Sequence, residues 1–314
     1  MLKNLTLLFA SMILFIGTSL AQKSDFVVNE IQETMSQGQQ TGLEILIPET
    51  QVKNIQSALS KWTKSNKGKF VSSKKSPEIF QDNVLLPSVS ENTIDLYTTL
   101  TQQKNGVLLK TFVDLGGAFL SSSEHPQAFT AMEGELINFA RNQYVAKVGQ
   151  DVTTEEKNLS KLQSDFKKLQ KDNESYHKDI SKNQDNIQEQ QLAIQKNQVD
   201  QKSKQDQIAI QQQILMEARQ KNIAMGSVDK ASQKLLDGQV KTEEKTLKTF
   251  QSQFKKLQKD YSNSIKSIEK SKSIIAQREQ DIVKNEQDQK VKEQQIELQK
   301  QIVDAVKTKK AGIQ

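Results

Sequence analysis

His125 and His177 are the two imidazoles of this chain, and no cysteine accompanies them. Three hydroxyls, Ser121, Ser122 and Ser123, stand just upstream of His125. A serine nucleophile next to a histidine base would suit acyl transfer. The Gly-x-Ser-x-Gly turn that raises such a serine from a sheet is missing, however. His125 precedes Pro126 where a helix is expected to start, which suits an exposed capping residue. His177 follows Tyr176 at an outward helical position and has the same plain reading. Asp114-Leu115-Gly116-Gly117 looks like a phosphate-cradling turn, yet neither Gly-x-Gly-x-x-Gly nor Gly-Lys-Ser/Thr surrounds it. It is expected to be a turn or bulge. Without cysteine there are no disulfides, thiolate metal sites or lipidated cysteines, and two histidines cannot build a multi-histidine metal centre. The expectation is a protein that is not an enzyme, with no catalytic, cofactor-binding or metal-binding residues.

These residues sit in a chain of 314 whose apolar content is 35% and aromatic content 5%. One large core through the whole length is not expected. Met1 to Ala21 reads as a leader: Lys3, a mostly apolar Leu5–Leu20, then Ser19 and Ala21 before a cut ahead of Gln22. The alternative is an uncleaved anchor, but the apolar run falls short of the ~20 residues that span a bilayer. The mature chain is expected to be exported to the periplasm or secreted, with no transmembrane segment after cleavage. The full chain's net charge of +6 is basic. Lysines and acids interleave, so a solvated face explains them, and no nucleic-acid partner is expected.

All four prolines lie before residue 127. Residues 22–150 carry 12 Lys/Arg and 13 Asp/Glu, whereas residues 151–314 carry 31 and 25. That shift predicts a small domain over 22–150 and a different segment over 151–314. In the first, Leu43, Ile45 and Ile47 alternate as in a strand. Val52, Ile55, Leu59 and Trp62 recur at helical spacing before a stop at Lys67–Gly68. Phe80–Leu86 and Thr93–Gln102 suggest strands, and Asn105–Gly106 marks a hairpin turn into Val107–Leu115. Phe26–Thr34 and Gly42–Ile47 would open the sheet. Phe129, Met132, Leu136, Phe139 and Val145 form the apolar stripe of a second helix. The order β-β-α-β-β-β-α fits an α+β domain, an antiparallel sheet with two helices on one face.

The remainder carries heptads. Counted from Leu159, one column reads Leu159, Phe166, Asn173, Ile180, Ile187, Ile194, Gln201, Ile208 and Leu215. From Leu247 it reads Leu247, Phe254, Tyr261, Ile268, Ile275, Ile282, Gln289, Ile296 and Val303. The offset is 88 residues, and 27 of 63 aligned positions are identical between Leu159–Lys221 and Leu247–Lys309. This is an internal duplication of a coiled-coil seam. The second column is mostly polar in its middle: Asn183, Gln190, Asn197 and Lys204, then Ser264, Ser271, Arg278, Asn285 and Lys292. Such residues lower stability and can select register and partner.

The offset is twelve heptads plus four, so one unbroken rod would need a stutter. Met225-Gly226-Ser227 instead allows a turn, with Gly226 and Ser227 at the tip of a long all-α antiparallel coiled-coil hairpin and arms at about 155–225 and 227–310. The alternative is a parallel rod in a homodimer. Thr153-Thr154-Glu155-Glu156 resembles a capping box opening the first arm. Protein partners are expected, self-association among them. The first functional reading is a structural spacer, adaptor or protein-interaction module of the cell envelope. The second is a binding chaperone. An exported basic chain with a β-containing N-terminal part and long helical arms resembles, in layout rather than in any shared motif, the Skp/OmpH periplasmic chaperones. That resemblance implies an oligomeric holdase for unfolded outer-membrane proteins. A small domain that binds a ligand or peptide on a coiled-coil stalk is a third.

Overall fold

The computed structural model describes residues 26–73, 76–224 and 229–313. The leader at Met1–Ala21 and the tip residues Gly226 and Ser227 lie outside them. The elements are β1 (Val28–Met35), β2 (Gly38–Pro48), α1 (Val52–Ser65), β3 (Lys69–Ser73), β4 (Ser76–Val84), β5 (Ile94–Gln103), β6 (Gly106–Asp114), α2 (Pro126–Ala224) and α3 (Lys230–Ala311). A six-stranded antiparallel sheet thus precedes two very long helices that form a hairpin. The described residues form two compact units, one within Met1–Lys161 and Ile296–Gln314, the other within Leu162–Gln295.

In the first unit the strands lie in the order β1-β2-β6-β5-β4-β3. The expected order lacked β3. Its sequence, Lys-Phe-Val-Ser-Ser, carries little alternation, and only Phe70 is half-buried, so pairing with β4 defines it more than its own pattern does. Alternation is clear in β2, where Leu43, Ile45 and Ile47 are buried, and in β6, where Val107, Leu109 and Val113 are buried. These pack with Ile55 and Leu59 of α1 and Phe129, Met132, Leu136 and Phe139 of α2 in one core.

Two turns differ in detail from expectation. Gln103 pairs with Gly106, so the β5–β6 loop is Lys104–Asn105 and the positive φ falls on Gly106 alone, at +156°. A Cβ there would stand 2.2 Å from the Ile47 carbonyl oxygen, which is why glycine is required. At the end of α1, Lys67 rather than Gly68 takes the left-handed conformation (φ +62°), and the Gly68 N–H reaches back to the Thr63 carbonyl at 2.9 Å.

Helix α2 runs without a break through Gly149–Thr154. The expected capping box is therefore absent: Thr153 and Thr154 donate their hydroxyls to the carbonyls four residues earlier, at 3.1 and 2.9 Å, inside the helix. After Pro126 no proline interrupts the chain, and a lone glycine costs a helix only about 1 kcal/mol.

Candidate functional site

Within Leu162–Gln295, α2 and α3 run antiparallel. Residue numbers fall on α3 as they rise on α2: Asn173 meets Asn285 at 3.4 Å, Arg278 meets Asp179 at 2.9 Å, Ser267 meets Asn186 at 3.2 Å, Asn197 meets the Leu257 carbonyl at 3.0 Å, and Arg219 meets Glu244 at 2.7 Å. The seam residues Phe166, Ile180, Ile187, Ile194, Ile208, Leu247, Phe254, Ile275 and Ile282 are half-buried, and Leu215 and Ile268 are buried. Leu159, Ile296 and Val303 belong to the other unit, the first two half-buried and Val303 buried.

Polar seam residues are as deeply enclosed as any isoleucine of the seam. Asn197 is 9% exposed, Gln211 6%, Ser271 4% and Asn285 6%. Their amides are largely satisfied. Gln201 donates to Asn197 Oδ1 at 2.6 Å, and the corresponding Gln289 donates to Asn285 Oδ1 at the same distance. Arg278 also bonds its helix neighbour Asp281 at 3.0 Å and lies 5.1 Å from the Tyr176 ring centre. The Asp281 hydrogen bond leads the influences that hold its guanidinium above the usual range.

A second duplicated contact spans the helices. Gln211 Nε2 donates to the Glu243 carboxylate at 2.6 Å, within Leu162–Gln295. In the sheet-bearing unit, Gln299 Nε2 donates to the Glu155 carboxylate at 2.7 Å and to its carbonyl at 3.2 Å. Gln299 is the copy of Gln211, and Glu243 the copy of Glu155, 88 residues on. Each arm thus supplies the glutamine to one pair and the glutamate to the other.

The sheet-bearing unit also holds the end of α3. Lys309 Nζ grips both carboxylate oxygens of Glu49, at 2.6 and 2.7 Å, and lies over the Tyr144 ring, 5.6 Å from its centre. Ile313 packs with Tyr144 and Val148, beside Phe26 and Val306. Burial, reinforced by the Glu49 charge, pushes the Tyr144 hydroxyl above its ordinary value. Burial alone would lower Lys309, but its hydrogen bond and charge pairing with Glu49 outweigh that and raise it.

Deeper in this unit a buried polar chain crosses the core. Gln81 Nε2 donates to Thr63 Oγ1 at 2.7 Å, Thr98 Oγ1 donates to Gln81 Oε1 at 2.8 Å, and Thr98 meets Thr111 Oγ1 at 3.0 Å. The void beside it, about 10 Å³, has room for no more than one water. On the other side of Trp62 and Phe139, between α1 and α2, opens a cleft of about 630 Å³.

His125 and Ser121 are joined through the main chain, the His125 N–H donating to the Ser121 carbonyl at 3.0 Å. His177 is exposed, whereas His125 is half-buried rather than exposed, its Nδ1 sealed and without a hydrogen-bond partner among the described residues. Ser121 and Ser123 share a hydroxyl contact at 3.3 Å, while Ser122 is held by Glu30 at 2.6 Å. Asp114 Oδ1 accepts the Gly116 and Gly117 amides at 2.8 and 3.0 Å, so this turn is closed on its own carboxylate. Among the described residues no group of three His, Asp or Glu side chains converges as a metal site would require. No described helix is long and apolar enough to cross a membrane.

No protein-family model matches this sequence, and no curated protein is similar to it. Among solved structures, CalU16 from Micromonospora echinospora aligns at 10% identity over 39% of this chain and 95% of that one, with a TM-score of 0.21. The Smc head domain with a coiled coil and joint derived from Pyrococcus yayanosii aligns at 11% identity over 92% of this chain and 69% of that one, with a TM-score of 0.29. At these scores neither likeness bears on fold or function.

Sequence reasoning missed the cleft, because its two walls come from segments some seventy residues apart. It also missed the Gln–Glu pairs, although the offset of 88 applied to Glu155 and Gln211 would have flagged them.

Proposed function

We propose that this chain is a non-enzymatic exported protein, a structural spacer, adaptor or protein-interaction module of the cell envelope. The observation that supports it most is the polar seam. A hairpin meant only to be stable would fill those positions with leucine, whereas Asn197, Gln211 and Asn285 are enclosed and hydrogen-bonded across or along the helices. Such residues trade stability for one defined register, as suits an element that must present a fixed surface to a partner. The ion pair and apolar contacts holding the end of α3 to Glu49 and Tyr144 serve the same purpose.

Two measurements test this. Photo-crosslinkers placed at exposed α2 positions such as Leu192 and Val199, in cells that export the chain, should yield one discrete envelope protein from one helical face. Crosslinking spread over many proteins, or none, would discard the adaptor role. Light scattering with an aggregation assay on a denatured outer-membrane protein separates the chaperone reading, which requires a multimer that suppresses aggregation.

A further inference from the structure

The cleft between α1 and α2 has a lining of distinct chemistry. At about 630 Å³ it lies in the range of small-molecule sites. Its floor is aromatic: Trp62 and Phe139 meet edge to face with ring centres 6.1 Å apart, and Trp62 is half-buried. Its walls are carboxamides. Asn54 comes from α1, and Asn142, Gln143 and Gln150 from α2. None of these four side chains has a hydrogen-bond partner within the described protein, so each offers both a donor and an acceptor.

Formal charge is scarce there. Lys147 is committed to Asp151 at 2.6 Å, and Glu135 accepts from Ser88 at 3.1 Å; among the described residues, Lys61 is the one cation of the lining without an ion-pair partner. An anionic ligand would want several cations, and a metal ion would want carboxylates. An uncharged ligand with many hydroxyls wants what is present. Each hydroxyl donates and accepts, as a carboxamide does, and the C–H face of a sugar ring lies flat on an aromatic side chain.

We propose that this cleft binds a short neutral oligosaccharide, with Trp62 as the stacking platform and Asn54, Asn142 and Gln143 as the hydroxyl readers. The proposal rests on the cleft alone and is independent of the spacer reading. Trp62 is the single tryptophan of the chain, so its emission reports directly on the site.

The full chain is titrated with N-acetylglucosamine trimer, with maltotriose, and with an uncharged unstructured peptide, following Trp62 fluorescence and heat. The expected result is a saturable emission change with one of the sugars and none with the peptide. Asn142→Ala, an exposed position, should weaken it about tenfold, a loss of about 1.4 kcal/mol, with unchanged circular dichroism. Asn54→Ala serves as the second variant should Asn142→Ala disturb the helix. No saturable response to either sugar at millimolar concentration overturns the proposal. So does a response that both variants leave intact, or binding of the peptide alone.

Discussion

Gln211 donates its side-chain amide to the carboxylate of Glu243, on the opposite helix, at 2.6 Å. The pair has a twin in Gln299 and Glu155, with the helices exchanged. An antiparallel pairing of two copies of one sequence produces such twins wherever both copies keep the residues; Arg278–Asp179 has none, because its counterpart positions are Gln190 and Ser267. The duplication therefore supplied a surface already complementary to itself, and the hairpin satisfies it within one chain.

Glu243→Ala removes the carboxylate acceptor of the buried Gln211 amide, leaving it the long 3.4 Å contact to the carbonyl of residue 243, and should cost about 1–2 kcal/mol. Glu155→Ala should cost a similar amount at the twin. As the two pairs share no partner, the double variant should be close to additive. Urea unfolding of the three variants measures this; a neutral Glu243→Ala would show that water replaces the carboxylate.

Replacing Ile187, Ile194, Ile275 and Ile282 with Asn should melt the hairpin. Each loses partly buried apolar surface worth about 1–2 kcal/mol and gains an amide that finds no partner. Helical circular dichroism should fall steeply while the emission of Trp62, in the sheet domain, stays unchanged. Unaltered helicity would refute the seam assignment.

The chain lacks cysteine, so Asn173→Cys with Asn285→Cys creates a clean pair. A short bis-maleimide should link them within one chain and leave the mass that of a monomer. The parallel homodimer alternative predicts linkage between chains instead.

The end of α3 should respond to alkali. Lys309 and Tyr144 both have folded-state pKa values above their ordinary ones. Their contribution is therefore complete below about pH 10 and is lost as pH rises through the raised values. The pair is partly exposed, so it is worth less than about 1 kcal/mol. The Ile313 methyl resonance should move toward its random-coil position above pH 10. Lys309→Met should bring part of that shift at pH 7.

Much of this architecture is legible in the sequence, for physical reasons. Helical arms declare themselves because Ile180, Ile187 and Ile194 recur every seven residues over many turns, and so do Ile268, Ile275 and Ile282. Strands β2 and β6 declare themselves by alternation. Strand β3 does not, since an edge strand with one inward residue carries almost no pattern. The continuity of α2 through Thr153 and Thr154 was also hidden: both residues favour helix starts, yet both can return their hydroxyls to the preceding turn. The cleft was beyond reach, as Trp62 and Phe139 meet only once the helices dock on the sheet.

The hydrogen-bonded run from Thr63 through Gln81 and Thr98 to Thr111 carries a consequence for assembly of the sheet. Sliding β5 by one residue against its neighbours would turn Thr98 outward. Sliding it by two would keep its face but set Leu96 or Leu100 where a hydroxyl is needed, stranding the Gln81 amide in hydrocarbon. Greasy side chains alone would tolerate that second error. The polar thread works as a proofreading device, rejecting misaligned meanders that hydrophobic collapse by itself would accept.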